Sequence, residues 1–183
     1  MIAAARANPW LATLLDRFDV LNLPNAWITA GAVAQSLWNR QAGRPATAGI
    51  ADIDIAYHDP ADLSEEGEAA HEARLRAAFP DIPVRLDVKN QARVHLWYPS
   101  RFGRSIAPYT SVPEAIATFP TTAGSIGLRP HAICTPFGTA DLQAGIIRAN
   151  RRLASRAVFE AKAARWAAQW PQLIVLPWES GVD

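Results

Sequence analysis

The stretch Ile50-Ala51-Asp52-Ile53-Asp54-Ile55-Ala56-Tyr57 decides the fold. Side chains alternate faces along a strand, so Asp52 and Asp54 share one face and Ala51, Ile53 and Ile55 the other. The apolar face needs a core, which predicts a strand over 51–58 inside a sheet. Two carboxylates two residues apart repel when both ionise, unless solvent or a cation compensates. Mg²⁺ compensates well, taking one or two carboxylates together with substrate phosphates. The plainer alternative is an edge strand with a polar, solvated face.

Two neighbouring stretches favour the cation. Trp27-Ile28-Thr29-Ala30 reads as a short strand, then Gly31, then a helix over 32–40 in which Val33, Ala34, Leu37 and Trp38 keep helical spacing. A helix start offers free N–H groups and a positive dipole end to an anion. Gly31 either lets a phosphate approach the backbone or simply makes a tight turn. Val84-Arg85-Leu86-Asp87-Val88-Lys89 reads as another strand, with Arg85, Asp87 and Lys89 on one face. If it pairs with the Asp52 strand, three carboxylates converge. Otherwise Asp87 merely pairs with Arg85 or Lys89.

Composition sets the outer limits. The chain has 183 residues, 50% hydrophobic and 19% charged, which fits one soluble domain and excludes a wholly disordered chain. No run approaches the roughly 18 apolar residues of a membrane span. The single cysteine, Cys134, excludes an intrachain disulfide and a four-cysteine zinc site, and fits a cytoplasmic location. The net charge of +1 makes the whole chain no generic polyanion binder. Lys89 and Lys162 are the only lysines.

The remaining elements follow from punctuation and periodicity. Asn8-Pro9 opens a helix with Leu11, Leu14, Leu15 and Phe18 on one face. Residues 41–49 form a loop and 62–78 a charged surface helix. Residues 84–88 form a strand that continues or bends back through 94–98. A loop over 99–108 carries Arg101 and Arg104. Ser111 to Glu114 has capping-box spacing for a short helix. Residues 125–129 form a strand, and 139–149 and 155–170 form helices, the last with an apolar stripe of Phe159, Ala163, Trp166 and Trp170. Early strands, late helices and short connections give an α+β class. Residues 1–150 form the core unit and 151–183 a C-terminal helix and tail packed on it.

Gly31 at a helix start, Asp52-Ile53-Asp54-Ile55 and the later strand Asp87 together resemble the nucleotidyltransferase superfamily. Further strings resemble one bacterial branch of it: Lys89-Asn90-Gln91-Ala92-Arg93-Val94-His95-Leu96-Trp97-Tyr98, Thr122-Ala123-Gly124-Ser125-Ile126-Gly127-Leu128-Arg129 and Phe137-Gly138-Thr139-Ala140-Asp141-Leu142. The resemblance runs from about Trp27 to Asn150. It implies a nucleotidyltransferase-type mixed β-sheet flanked by helices, with C-terminal helices. It implies metal-dependent transfer of an NMP group from an NTP to a hydroxyl acceptor, with pyrophosphate released. Asp52 and Asp54 would hold Mg²⁺ or Mn²⁺ and position the triphosphate. Asp87 would be the third ligand and activate the acceptor hydroxyl. Gly31 and Ala32 would bind the β and γ phosphates through backbone N–H groups. Two departures stand out: Ala32 replaces the usual Gly or Ser, and the interval from Ala32 to Asp52 is long.

Secondary candidates are Asn90, Gln91, Arg93 and His95, which either read an acceptor or satisfy backbone around a bend. Arg148, Arg152 and Arg156 recur every four residues and would make a basic stripe if one helix carried them. The tryptophans at helical core spacing favour packing over base stacking. His131 and Cys134 lack the partners of a zinc site. A catalytically degenerate nucleotide- or RNA-binding domain is the rival reading, and a phosphodiesterase with water as acceptor a third. The acceptor (RNA, protein or small molecule), the NTP and the oligomeric state are not encoded in any motif found.

Overall fold

The computed structural model describes residues 2–183. Helices α1 (Ile2–Ala5) and α2 (Pro9–Asp16) open the chain. Asn8 caps α2, its side chain accepting from the Trp10 N–H at 2.9 Å. Strand β1 (Trp27–Thr29) runs into α3 (Gly31–Gln41), then β2 (Asp52–Tyr57), α4 (Glu65–Ala78) and β3 (Arg85–Asn90). Next come α5 (Val94–Phe102), α6 (Val112–Ile116), β4 (Gly127–Arg129), β5 (Ala132–Cys134), α7 (Ala140–Ala144) and β6 (Ile146–Ile147). Helix α8 (Arg156–Gln169) and strand β7 (Ile174–Val175) follow. Among the described residues no helix is long and apolar enough to cross a membrane.

Five of these strands form one mixed sheet in the order β3-β2-β1-β4-β5, and β6 and β7 pair separately in parallel. The contact between β2 and β3 is parallel, with Asp54 opposite Asp87; the others in the sheet are antiparallel, and β1 sets Thr29 opposite Asp54. The period-two pattern read from the sequence is realised: Ile53, Ile55, Leu86 and Val88 are buried in the main core with Ile28, Leu128, Val33 and Leu75. The opposite face carries Thr29, Asp54, Asp87 and Lys89. Part of it is covered by α6, whose Val112 and Ile116 pack on Trp27 and Ala56.

Helix α8 inserts its stripe into the main core. Phe159, Ala163, Trp166 and Trp170 are all buried. The Trp38 ring centroid lies 5.1 Å from that of Trp166 and 6.0 Å from that of Trp170. The long interval before Asp52 is accommodated by side-chain pinning. Asn39 Nδ2 donates to the carbonyls of Ala46 (3.2 Å) and Ala48 (2.8 Å), and its Oδ1 accepts from Trp170 Nε1 at 2.8 Å.

Three expectations are corrected. Residues 94–98 are helical, in α5, not a strand. The chain turns because Asn90 caps it: Oδ1 accepts from the Ala92 N–H and Nδ2 donates to the carbonyls of Asp59 and Asp62. That tertiary anchoring overrides the strand propensity of Val94, Trp97 and Tyr98. Arg101 consequently lies in α5, not in a loop. The helix expected over 139–149 stops at Ala144, because Gly145 adopts φ 67° and ends it. Arg148, Arg152 and Arg156 therefore lie on separate segments, and no basic stripe forms.

Candidate functional site

The carboxylate face of the sheet is roofed by α5, α6 and the start of α8, leaving a cavity of about 340 Å³. Its walls include Thr29, Ala30, Asp54, Asp87, Lys89 and Lys162. Asp54 and Asp87 thus share one chamber, one opposite the other in the β2–β3 register. Asp52 sits at the exposed start of β2, outside the cavity wall.

Asp54 is the most perturbed carboxyl. Burial pushes its pKa up to about 6, and the charges of Asp52 and Asp87 push the same way. Lys162 and the Gly31 backbone N–H oppose this by favouring the carboxylate. Burial lowers the pKa of the Lys162 ammonium, while Asp54 and Asp52 support its charge. Its Nζ lies 4.6 Å from the Trp166 ring centroid, over the ring face. Sequence reasoning noted Lys162 only as one of two lysines; that rarity was the available signal, but nothing showed that α8 would return it to the aspartates.

Asp87 is held from both sides. Its Oδ1 lies 3.0 Å from Arg85 and 3.4 Å from Lys89, so the plain pairing expected for an exposed strand is present. Oδ1 is buried and is held by these ion pairs rather than by a well-formed hydrogen bond. Both cations are anchored on α4: Arg85 donates to Glu72 and Lys89 to Glu68. Burial works against the Lys89 ammonium, yet Glu68 and Asp87 outweigh it and raise its pKa. Glu68, absent from the sequence candidates, is buried and also accepts from the Asn90 N–H at 2.9 Å.

At the helix start, the strained residue is Ala30, not Gly31. Ala30 has φ 57° and ψ −126°, a conformation that L residues rarely adopt. The Gly31 N–H that follows favours the charged form of Asp54. Gly31 and Ala32 are buried, and Ala30 rather than either of them lines the cavity.

The secondary candidates divide. Asn90, Gln91 and Arg104 line the cavity, and Asn90 also holds the bend after β3. Arg93 is buried and pairs with Glu65 and Glu68. His95 Nδ1 is buried without a partner. Arg101 stacks on Phe102 at 5.6 Å. Among the described residues, no three of His, Cys, Asp and Glu are gathered as a ready metal-binding group, and His131 and Cys134 flank β5 at its two ends. The chemistry of the donor set still fits a divalent cation. Asp54 is crowded by two like charges, and Asp87 presents a buried oxygen without a well-formed hydrogen bond.

A mixed sheet that sets paired acidic strands beside a strand-to-helix turn defines an α+β domain with an acidic chamber on one sheet face. A family model described as "Nucleotidyltransferase" matches residues 16–175. A solved NMR structure described as revealing a CCA-adding enzyme head domain is similar, at 25% identity and TM-score 0.75, covering 95% of this chain and 93% of that one. A search of curated proteins found no match in sequence. The chain belongs to the nucleotidyltransferase family.

Proposed function

We propose that the protein is a metal-dependent nucleotidyltransferase. It moves an NMP group from an NTP to a hydroxyl acceptor and releases pyrophosphate. The observation that carries this reading is the juxtaposition of Asp54 and Asp87 across the β2–β3 register, in one chamber with Lys162. Asp52, Asp54 and Asp87 would hold Mg²⁺ or Mn²⁺. When bound, the cation supplies charge neutralisation for the phosphates.

The protein's own groups do the rest. Ala30 lines the chamber at the start of α3, whose positive end favours the triphosphate. Lys162 adds a cation inside a poorly solvated chamber, where it acts more strongly on charge than it would in water. Asp87 takes the proton of the acceptor hydroxyl. The roof of α5, α6 and α8 limits water, which favours transfer over hydrolysis.

A catalytically silent nucleotide-binding domain is the second reading. It is favoured by the pairing of Asp87 with Arg85 and Lys89 rather than with the other carboxylates. One experiment tests both. Thermal unfolding is followed with each NTP, with and without Mg²⁺ or Mn²⁺, alongside pyrophosphate release. The enzyme reading expects a metal-dependent melting shift for at least one NTP, lost in Asp54→Ala, together with pyrophosphate. A shift without pyrophosphate under any acceptor tried favours the silent domain. No shift with any NTP overturns both.

A further inference from the structure

The chamber holds more than its acidic floor requires. Away from the strand-to-helix turn, on the side of Asp87, its wall is aromatic: Trp97, Tyr98 and Phe102 of α5, and Tyr109 beyond it. The Tyr98 and Phe102 ring centroids lie 4.6 Å apart, and the Trp97 and Tyr98 centroids 6.1 Å. Phe102 is 40% exposed, so the aromatic wall reaches the opening. The volume, about 340 Å³, is that of a small-molecule pocket and not of a polymer groove.

Charge around the opening agrees. Arg104, in the cavity wall, donates to the Leu153 carbonyl and lies 6.0 Å from the Tyr98 ring centroid, and the arginines flanking the lining segment 153–155 are likewise engaged within the protein. Arg148 pairs with Asp141, Arg151 with Asp183, and Arg156 with Glu160 and Glu179. Arg152 lies over the Phe137 ring at 4.9 Å. A nucleic-acid acceptor would be expected to meet a track of free basic side chains. A flat apolar ligand meets ring faces on which to stack.

We propose that the acceptor is a small, uncharged molecule with a flat aromatic body and a free hydroxyl, bound on the α5 aromatic wall. The proposal rests on the nucleotidyl-transfer reading and names its substrate class. Stacked there, the hydroxyl points along the wall to Asp87. Its oxygen bonds to the α-phosphorus as the bond to pyrophosphate breaks, and its proton passes to the Asp87 carboxylate. The products are a nucleotidylated alcohol and pyrophosphate, and no oxidant or reductant enters.

The test uses the full chain and phenethyl alcohol as probe, with glycerol as the non-aromatic control, read by ligand-observed NMR. Variants are Trp97→Ala and Phe102→Ala, which remove wall rings. The melting shift with NTP and metal is measured on each, and α-phosphate-labelled NTP is offered with a short RNA. The expected result is probe binding to wild type but not of glycerol, weakened about tenfold by each variant, with the NTP shift intact. Variants that lose the NTP shift while keeping the probe overturn the proposal, because the chamber then houses the nucleobase. Label on the RNA overturns it in favour of a polymer acceptor. An NTP shift without probe binding in wild type overturns the acceptor proposal alone. Probe binding without any NTP shift overturns the nucleotidyl-transfer reading beneath it.

Discussion

Asp54 carries the site's electrostatic tension, and it can be read by unfolding. Its pKa is raised from 3.8 to about 6 by burial, then by Asp52 and Asp87. The folded state therefore binds the proton more tightly than the unfolded chain. The associated stability is fully present below pH 3.8, declines as pH rises through about 6, and is absent above. At about 1.4 kcal/mol per unit, the penalty at neutral pH is about 3 kcal/mol. Asp54→Asn keeps the shape and removes the charge. Denaturant unfolding of the variant in chelator should show up to about 3 kcal/mol more stability at pH 7.5 and a flatter profile between pH 4 and 7. The same variant should lose NTP-dependent pyrophosphate release by at least about 100-fold. If Asp54→Asn is no more stable than wild type at pH 7.5, the tension is not there. Lys162→Met is the companion test. With that opposing charge gone, the Asp54 pKa should climb further, and NTP affinity should fall about 10- to 100-fold, the weight of a charged hydrogen bond. Titration calorimetry decides it, and Lys162→Arg should restore part of the loss.

At the scale of elements, apolar periodicity was legible and tertiary anchoring was not. The strand over 85–90 and the stripe of α8 follow from spacings of two and of three to four residues, which one buried face imposes. The α5 error has the opposite origin. Val94, Trp97 and Tyr98 prefer strands, but Asn90 is tied to Asp59 and Asp62 and starts a turn before they can extend. The over-long helix after Thr139 was readable, since Gly145 marks its end. Strand β5 was missed because three residues, none of them buried, carry no period. The Phe137 to Leu142 string has a structural use. Asp141 accepts from Thr122 Oγ1 at 2.7 Å and from Arg148 Nε at 2.9 Å, tying α7 to the turn before β4 and to the end of β6. Burial alone would raise the Asp141 pKa, but the Arg148 and Thr122 bonds lower it overall. A lowered carboxylate pKa adds stability above the unfolded value of 3.8, and that stability is lost as pH falls below it through the folded value. Asp141→Ala should cost about 2 kcal/mol at pH 7, and the difference from wild type should shrink on acidification below pH 4. Equal stability of the two proteins at pH 7 would refute the tie.

At the scale of the whole molecule, the proposed site residues come from distant segments, and this limits what a sequence shows. The pairing of Asp54 with Asp87 was conditional on two strands meeting, and they do, in parallel register. The roof over them and Lys162 could not be read, because both depend on how α5 and α8 return to the sheet. What fixes α8 is its tryptophans. Trp170 is fully buried, packs near Trp38, donates to Asn39 Oδ1 at 2.8 Å and carries the Arg44 guanidinium over its ring at 5.5 Å. Asn39 in turn holds the loop before β2. One indole therefore links α8, α3 and the approach to the acidic strand. Trp170→Ala opens a cavity and strands a buried amide oxygen, and should cost about 3–5 kcal/mol. Trp170→Phe keeps most of the volume and loses only the N–H, and should cost about 1–2 kcal/mol. Because the link spans both ends of the chain, tryptophan fluorescence and far-UV circular dichroism should give coincident unfolding curves in wild type and in Trp170→Phe. The NTP-dependent melting shift should survive in Trp170→Phe, since that residue lines no part of the chamber. If Trp170→Ala melts α8 first, seen as an early fluorescence step before the main loss of ellipticity, α8 is a separable clip and not part of one cooperative core.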